Sequence, residues 1–354
     1  MLTQAYRGKR VLITGHTGFK GSWLCHWLLA EGAEVAGYAL APDTQPALFH
    51  LLGLAQRLRH CEADVRDAAR LAETVDTFKP DIIFHLAAQP LVRRSYREPR
   101  ATWETNVLGT VNLLEAVRTC AAVRACVVIT SDKCYENREW PRGYHEDDAM
   151  GGHDPYSASK GAVELAVASW RRSFPGGTRI ASARAGNVIG GGDWSSDRIV
   201  PDIVKAILAD EPVRLRNPGA IRPWQHVLEP LSGYLRLAEC LCQSDGNRFA
   251  EAWNFGPAED AVSTVEVLAR HVVTAWGKGS VDTSPQAGQP HEAGILRLDC
   301  SKAEKYLDWR GRWNVAETAR RTAHWYRDWA AGADPQKLVD DDLGAFRLAT
   351  TTMM

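Results

Sequence analysis

Val11-Leu12-Ile13-Thr14-Gly15-His16-Thr17-Gly18-Phe19-Lys20-Gly21 is a short apolar run that breaks into three spaced glycines and then enters an amphipathic stretch, Phe19 to Glu31. Glycines at such a break permit a tight turn and let the backbone approach a pyrophosphate. The negative charge then meets unpaired N–H groups and the positive end of the helix. A glycine-rich turn without a ligand is the plain alternative. The strand before the glycines and the helix after them favour the dinucleotide reading, with Gly15, His16, Thr17, Gly18, Phe19, Lys20 and Gly21 as its loop.

The same alternation continues outward. β-rich runs at Glu34 to Leu40, Arg59 to Asp64, Ile82 to Leu86, Ala125 to Ser131 and Ile180 to Ala185 are separated by helical patterns at Leu71 to Phe78, near Arg100 to Ala121 and from about Tyr156 to Phe174. Strand, helix, strand repeated in this way predicts a doubly wound parallel α/β sheet, with ligands at the carboxyl ends of its strands. After Arg184 the pattern changes. Gly190, Gly191 and Gly192 run together, Pro and Trp become frequent, and a helix at Ile199 to Ala209 stands between loops. The division expected is a dinucleotide domain over 1–185 and a smaller mixed C-terminal lobe over 186–224 and 257–335. Gln225 to Cys242 and Trp253 to Gly256, within about 225–256, are expected to return to the main sheet. A polar, loosely ordered tail is expected over 336–354.

The chain has 354 residues, a prior of roughly two domains. Its 42 Lys plus Arg against 43 Asp plus Glu give a net charge of −1. There is no basic excess to hold a nucleic acid or an anionic membrane, so any anion must be held locally. No apolar run near the N-terminus approaches a signal core or a membrane span. The eight cysteines form no CxxC pair, which predicts neither a zinc cage nor a disulfide framework and fits a reducing cytoplasm. No metal site is expected.

Asp64-Val65, closing the third strand, puts a carboxylate where it can accept from an adenine amino group, although Asp64 alone reads as a surface turn residue. The second strand ends Gly37-Tyr38-Ala39-Leu40 with Asp43 shortly after. No Arg follows closely to take a 2′-phosphate, which favours NAD without excluding NADP. Tyr156 and Lys160 lie four residues apart on one helical face, and Ser131 closes the fifth strand. A phenol with an ordinary pKa near 10 becomes a usable base beside a fixed ammonium.

In this order the motifs resemble the extended short-chain dehydrogenase/reductase family, whose TGxxGxxG, strand-terminal Ser and YxxxK they match. His85-Leu86-Ala87-Ala88-Gln89 and Asn106 in Thr105-Asn106-Val107-Leu108-Gly109-Thr110 match it too. The resemblance implies a Rossmann-type NAD domain, a nucleotide-sugar lobe and a homodimer or homotetramer. It adds Leu86, Ala87, Ala88 and Asn106 to the cofactor residues. Thr130-Ser131-Asp132-Lys133-Cys134-Tyr135-Glu136-Asn137 is similar to the sugar 4,6-dehydratase branch, which adds an acid and a base beside the Ser. So are Gly143 to Asp148, Met150 to Pro155, Arg184 to Trp194 and Arg222 to Val227. The resemblance implies CDP-D-glucose as substrate. Oxidation at C4 would use Ser131, Tyr156 and Lys160, and loss of water across C5–C6 would use Asp132 as acid and Lys133 as base.

An ammonium has no lone pair, so Lys133 serves as base only with a lowered pKa. Otherwise it stabilises an enolate, and Glu136 is the distant alternative. For the substrate diphosphate the first choice is Arg222, whose planar guanidinium grips phosphate oxygens with paired donors. Arg297 and His291 follow by resemblance, with Asn187 for a phosphate or sugar oxygen and Gln89 and Ser95 for the sugar pocket. Thirteen Trp are mostly expected in packing, and Trp194 or Trp224 is expected to border the nucleotide. Dehydratases of dTDP-, UDP- or GDP-sugars and C4 epimerases remain open. A non-catalytic dinucleotide sensor is disfavoured, because both Tyr156 and Lys160 stand.

Overall fold

In the computed structural model, which describes residues 5–257, 263–284 and 295–349, seven strands form one parallel sheet. They are β1 (Arg10–Thr14), β2 (Glu34–Ala39), β3 (Arg59–Glu62), β4 (Ile82–His85), β5 (Ala125–Ile129), β6 (Arg179–Ala185) and β7 (Ala252–Phe255), in the order β3-β2-β1-β4-β5-β6-β7. Successive residues of one strand point to opposite faces. Val11 and Ile13 accordingly enter one apolar cluster and Leu12 the other, and the same split separates Val127 from Cys126 and Val128. Coverage of both faces is why the strands read as unbroken apolar runs.

One face is covered by α1 (Phe19–Ala30), the other by α2 (Ala68–Phe78) and α3 (Gly109–Thr119). The stretch read as amphipathic forms α1 without a polar face, since Trp23, Leu24, Cys25, His26, Trp27 and Leu28 are all buried. Next, α4 (Pro155–Ser173) starts where the Asp154 carboxylate accepts from the Ser157 N–H at 3.0 Å and Pro155 takes the first helical position. That start sets Tyr156 in the first turn and Lys160 one turn on.

The C-terminal half supplies α5 (Ile199–Leu208), α6 (Leu228–Leu241), α7 (Val265–Trp276), α8 (Val315–Ala330) and α9 (Pro335–Leu348). Their apolar sides join the same cluster as α1, so one core runs from the sheet into the lobe. Of the two segments expected to return to the sheet, residues 252–255 do so as β7, hydrogen-bonded beside β6. Gln225–His226 instead pairs with Val188–Ile189 in a separate two-stranded ribbon, and α6 follows it.

Two expectations need correction. The last segment is not a loose tail over its described length. Asp334 caps α9, and Val339, Leu343 and Phe346 form a buried stripe spaced by four and three residues. A hydrogen bond between His26 Nε2 and Asp340 at 2.6 Å and the ion pair Arg347–Glu31 at 2.5 Å hold its polar side to α1 and the residue after it. Leu296-Arg297-Leu298-Asp299 is no strand but a single bridge between Leu298 and Tyr144. The helix expected near Arg100 to Ala121 is present, running without a break from Pro99 through a π turn at Glu104–Leu108 into α3. Such turns widen the helix where a side chain is held out of register. Here the Asn106 amide bonds the Gln89 N–H at 2.7 Å and the Ser159 hydroxyl at 2.8 Å.

Candidate active site

A cavity of about 940 Å³ opens at the carboxyl ends of β1, β4, β5 and β6. Gly15, with φ +76°, follows β1 so closely against the segment after β4 that a Cβ would stand 2.6 Å from the Ala87 nitrogen. At Gly21 a Cβ would stand 2.2 Å from the Gly15 carbonyl oxygen. The loop is therefore a bare backbone cradle at the start of α1, which fits a dinucleotide pyrophosphate. Thr17, Gly18, Phe19 and Lys20 continue the wall, with Asp64, Val65, Leu86, Ala87 and Ala88 beside them. Thr17 Oγ1 donates to the Leu40 carbonyl at 2.8 Å, and Asp43 reaches the same wall. Asp64 is engaged by Arg66 at 2.6 Å, and those hydrogen bonds hold its carboxyl below the usual range.

Two residues expected at the cofactor are turned elsewhere. The His16 ring lies beneath β2, with Nε2 2.7 Å from His60 Nδ1, outside the cavity wall. Burial, then the His60 neighbour, lowers its pKa to about 3, so the ring is neutral. Asn106 is also off the wall, its amide spent on Gln89 and Ser159.

On the opposite side Ser131, Asp132, Lys133, Tyr156 and Lys160 come together. Ser131 lies two residues beyond β5 and caps the short turn Asp132–Cys134, its Oγ accepting from Lys133 N at 3.2 Å and donating to Asp132 Oδ1 at 2.9 Å. Asp132 is 1% exposed, its Oδ2 has no hydrogen-bond partner, and Lys133 Nζ stands 3.6 Å from Oδ1. Burial pushes the Tyr156 phenol up to about 12, while the bond to Ser131 and the Arg198 charge pull it back. Burial lowers Lys160 to about 8, opposed by Glu164, and its Nζ donates to the Ile129 carbonyl at 3.2 Å. Burial, then Arg198 and Lys160, lowers Lys20 to about 7.

Of the substrate candidates, Gln89, Asn187 and Arg222 line the cavity. Asn187 Oδ1 is buried without a hydrogen-bond partner, an acceptor set for a ligand donor. The Gln89 amide is occupied by Leu91 and Thr102. Ser95 is fully buried, donates to the Val92 carbonyl at 2.7 Å and does not line the cavity. Arg297 is off the wall, where Leu296 takes its place, and Glu136 lies against Gly151 instead. His291 falls outside the described residues. Trp194 and Trp224 both line the cavity, and Trp194 packs edge-on to Tyr326 and Trp329.

Arg198 was not singled out from sequence. It lines the cavity, donates to Asp193 Oδ2 at 2.8 Å and acts on Tyr156. Its place just before α5 carries no motif. The signal lies in the Tyr326 hydroxyl, which pins Asp193 from a helix 133 residues away.

The family model described as GDP-mannose 4,6 dehydratase matches residues 12–322. A CDP-glucose 4,6-dehydratase of Salmonella typhimurium is 48% identical over 98% of both chains. A UDP-glucose 4-epimerase of Mycolicibacterium smegmatis is 30% identical over 90% of this chain and 99% of its own. Among solved structures, a dTDP-glucose 4,6-dehydratase of Streptomyces venezuelae with NAD and TYD bound superposes with a TM-score of 0.79 at 25% identity, covering 92% of this chain and 99% of that one.

Proposed function

The chain belongs to the GDP-mannose 4,6 dehydratase family, and on that premise we propose that it is a hydro-lyase converting CDP-D-glucose to CDP-4-keto-6-deoxy-D-glucose. The observation that carries the reaction type is the convergence of Asp132 and Lys133 on the cavity face that holds Ser131 and Tyr156. A C4 epimerase has use for the hydroxyl and the phenol but none for a buried carboxyl and an amine beside them. The nucleotide is taken from the 48% identical relative.

NAD, held by the Gly15–Gly21 cradle and the 86–88 segment, would supply a hydride acceptor that returns the hydride before products leave. Tyr156 takes the proton of the sugar 4-hydroxyl as the C4 ketone forms, with Ser131 hydrogen-bonding the oxygen. The bond to Ser131 and the Arg198 charge oppose the burial that keeps the phenol protonated, and Lys160, one turn on, would add to them. The ketone acidifies C5–H. Lys133 takes that proton while the Asp132 carboxyl hands one to the departing 6-hydroxyl, and water leaves. A proton then returns to C5. Arg222 holds the diphosphate, and Asn187 Oδ1 accepts from a sugar hydroxyl.

A homodimer or homotetramer and a cytoplasmic setting are proposed with this activity. The eight cysteines are unpaired, which fits a reducing compartment. No helix of the described residues is long and apolar enough to cross a membrane, and they hold no cluster fit for a metal.

The test incubates the purified protein with NAD and CDP-, dTDP-, UDP- or GDP-glucose in deuterated water. The expected outcome is a 4-keto product from CDP-glucose, deuterium at C5 and no net NADH. Return of a C4 epimer without a 6-deoxy product sinks the dehydratase reading. Lys133→Met should abolish deuterium incorporation at C5, and retained incorporation assigns the base elsewhere.

A further inference from the structure

Beneath the catalytic edge lies a buried ion pair that the steps above leave unused. Glu164 stands one turn after Lys160 on α4, and Arg184 is on β6; each is 3% exposed. Arg184 Nη2 donates to Glu164 Oε2 at 2.9 Å, and the same carboxylate accepts from Thr130 Oγ1 at 2.5 Å and Ser182 Oγ at 2.6 Å. Thr130 is the residue before Ser131, and Ile129, before it, offers the carbonyl that Lys160 Nζ occupies at 3.2 Å. The other arm of Arg184 donates to Tyr135 OH at 2.6 Å, which in turn donates to Asn254 on β7 at 2.8 Å.

Such a pair is a poor choice for stability alone, since desolvating two ions costs about what their attraction returns, and apolar replacements are often neutral. Its position explains it better. Burial works against the Glu164 charge, and the Arg184 guanidinium with three hydrogen bonds overrides that, keeping the carboxyl below its usual range. One turn above, Lys160 is buried, which disfavours an ammonium, although the Ile129 carbonyl accepts from its Nζ. The other charged or titratable groups facing it are Tyr156 one turn before it on α4, Cys134 from the turn after β5, Lys20 from the glycine loop and His85 from β4. Burial keeps Tyr156 and His85 neutral, and Lys20, lowered to about 7, is largely uncharged where Lys160 titrates near 8, so Glu164 is the nearby anion that favours the protonated amine.

We propose that Glu164 is a positioning residue that keeps Lys160 protonated, with Arg184 serving to hold Glu164 ionised and fixed under the Ser131 turn. The consequence for turnover rests on the proposed role of Lys160, so the test reads Lys160 without substrate. The full-length protein is labelled with 13C at the lysine Cε, and the Lys160 resonance is assigned by its loss in Lys160→Arg. Titration follows its chemical shift.

Glu164→Gln should lower the Lys160 midpoint by about one pH unit or more. The double variant Glu164→Gln with Arg184→Met, which leaves no stranded guanidinium, should lower it in the same direction. A purely structural ion pair predicts unchanged midpoints in the folded variants, and that result overturns the proposal. The alkaline limb of CDP-glucose turnover should move down by the same amount. A limb that stays while the midpoint moves leaves the coupling standing and removes Lys160 from the proposed chemistry.

Discussion

The cavity has two unlike walls. The wall under the glycine loop is made by backbone brought so close that side chains are excluded, as at Gly15 against Ala87 and Gly21 against Gly15. The facing wall is made of side chains that must be held: Ser131 and Asp132 by a capped turn, Arg198 by Asp193, and Lys160 by a strand-end carbonyl. A close-packed backbone wall fails by steric exclusion, so its errors show as lost binding and lost stability. A wall of positioned charges fails chemically, so its errors show as lost turnover in a protein that still folds.

The largest expected effect lies on the charged wall. Tyr156→Phe should cut turnover by about a hundred- to ten-thousandfold while leaving sugar-nucleotide binding, measured calorimetrically, nearly intact. Unchanged turnover would remove the phenol from the reaction. Next comes the backbone wall. Gly15→Ala forces a Cβ into the Ala87 nitrogen at a positive φ, so thermal melting should show a loss of about 1–3 kcal/mol and NAD should no longer raise the melting temperature. A variant that melts and responds to NAD like the parent would refute the exclusion argument.

Arg222→Ala should raise KM about ten- to a hundredfold with kcat nearly kept, the loss of one charge-assisted hydrogen bond. An equal fall in kcat would move Arg222 from holding the substrate to acting in the reaction.

The smallest effect sharpens the contrast from behind the glycine loop. His16 has a folded pKa of about 3 against about 6.5 unfolded, so the unfolded chain binds the proton first as pH falls. Its contribution to stability is therefore complete above pH 6.5 and is lost progressively towards pH 3, at up to about 1.4 kcal/mol per pH unit. Urea unfolding at pH 7 and pH 5 should show a smaller difference in His16→Asn than in the parent. An identical difference means the ring takes no part.

Reading residues from a motif placed them on the cavity wall where the backbone itself forms the wall and where consecutive residues share one turn. The Gly15–Gly21 loop and Ser131-Asp132-Lys133 are of this kind, because their positions follow from the end of a strand. The same motif matching misdirected His16, Asn106 and Ser95. A match fixes the path of the chain but not the direction of the side chain, and these three turn inward to brace the loop, the π turn and a short helix. The polar composition of residues 335–348 concealed a three-residue apolar stripe, visible only when α1 supplies the surface it covers.

By itself the sequence determined the parallel α/β sheet, the glycine loop after β1 and the order of the groups proposed to react, because apolar runs, glycine spacing and a helix start are local signals that neighbouring residues largely settle. Tertiary structure alone decided which charges face the cavity. Arg198 is aimed by Asp193, itself pinned by Tyr326 from 133 residues away, while His16 is withdrawn by His60. Burial and charge at a site are sums over neighbours that are distant along the chain, so they exist only once the chain has folded.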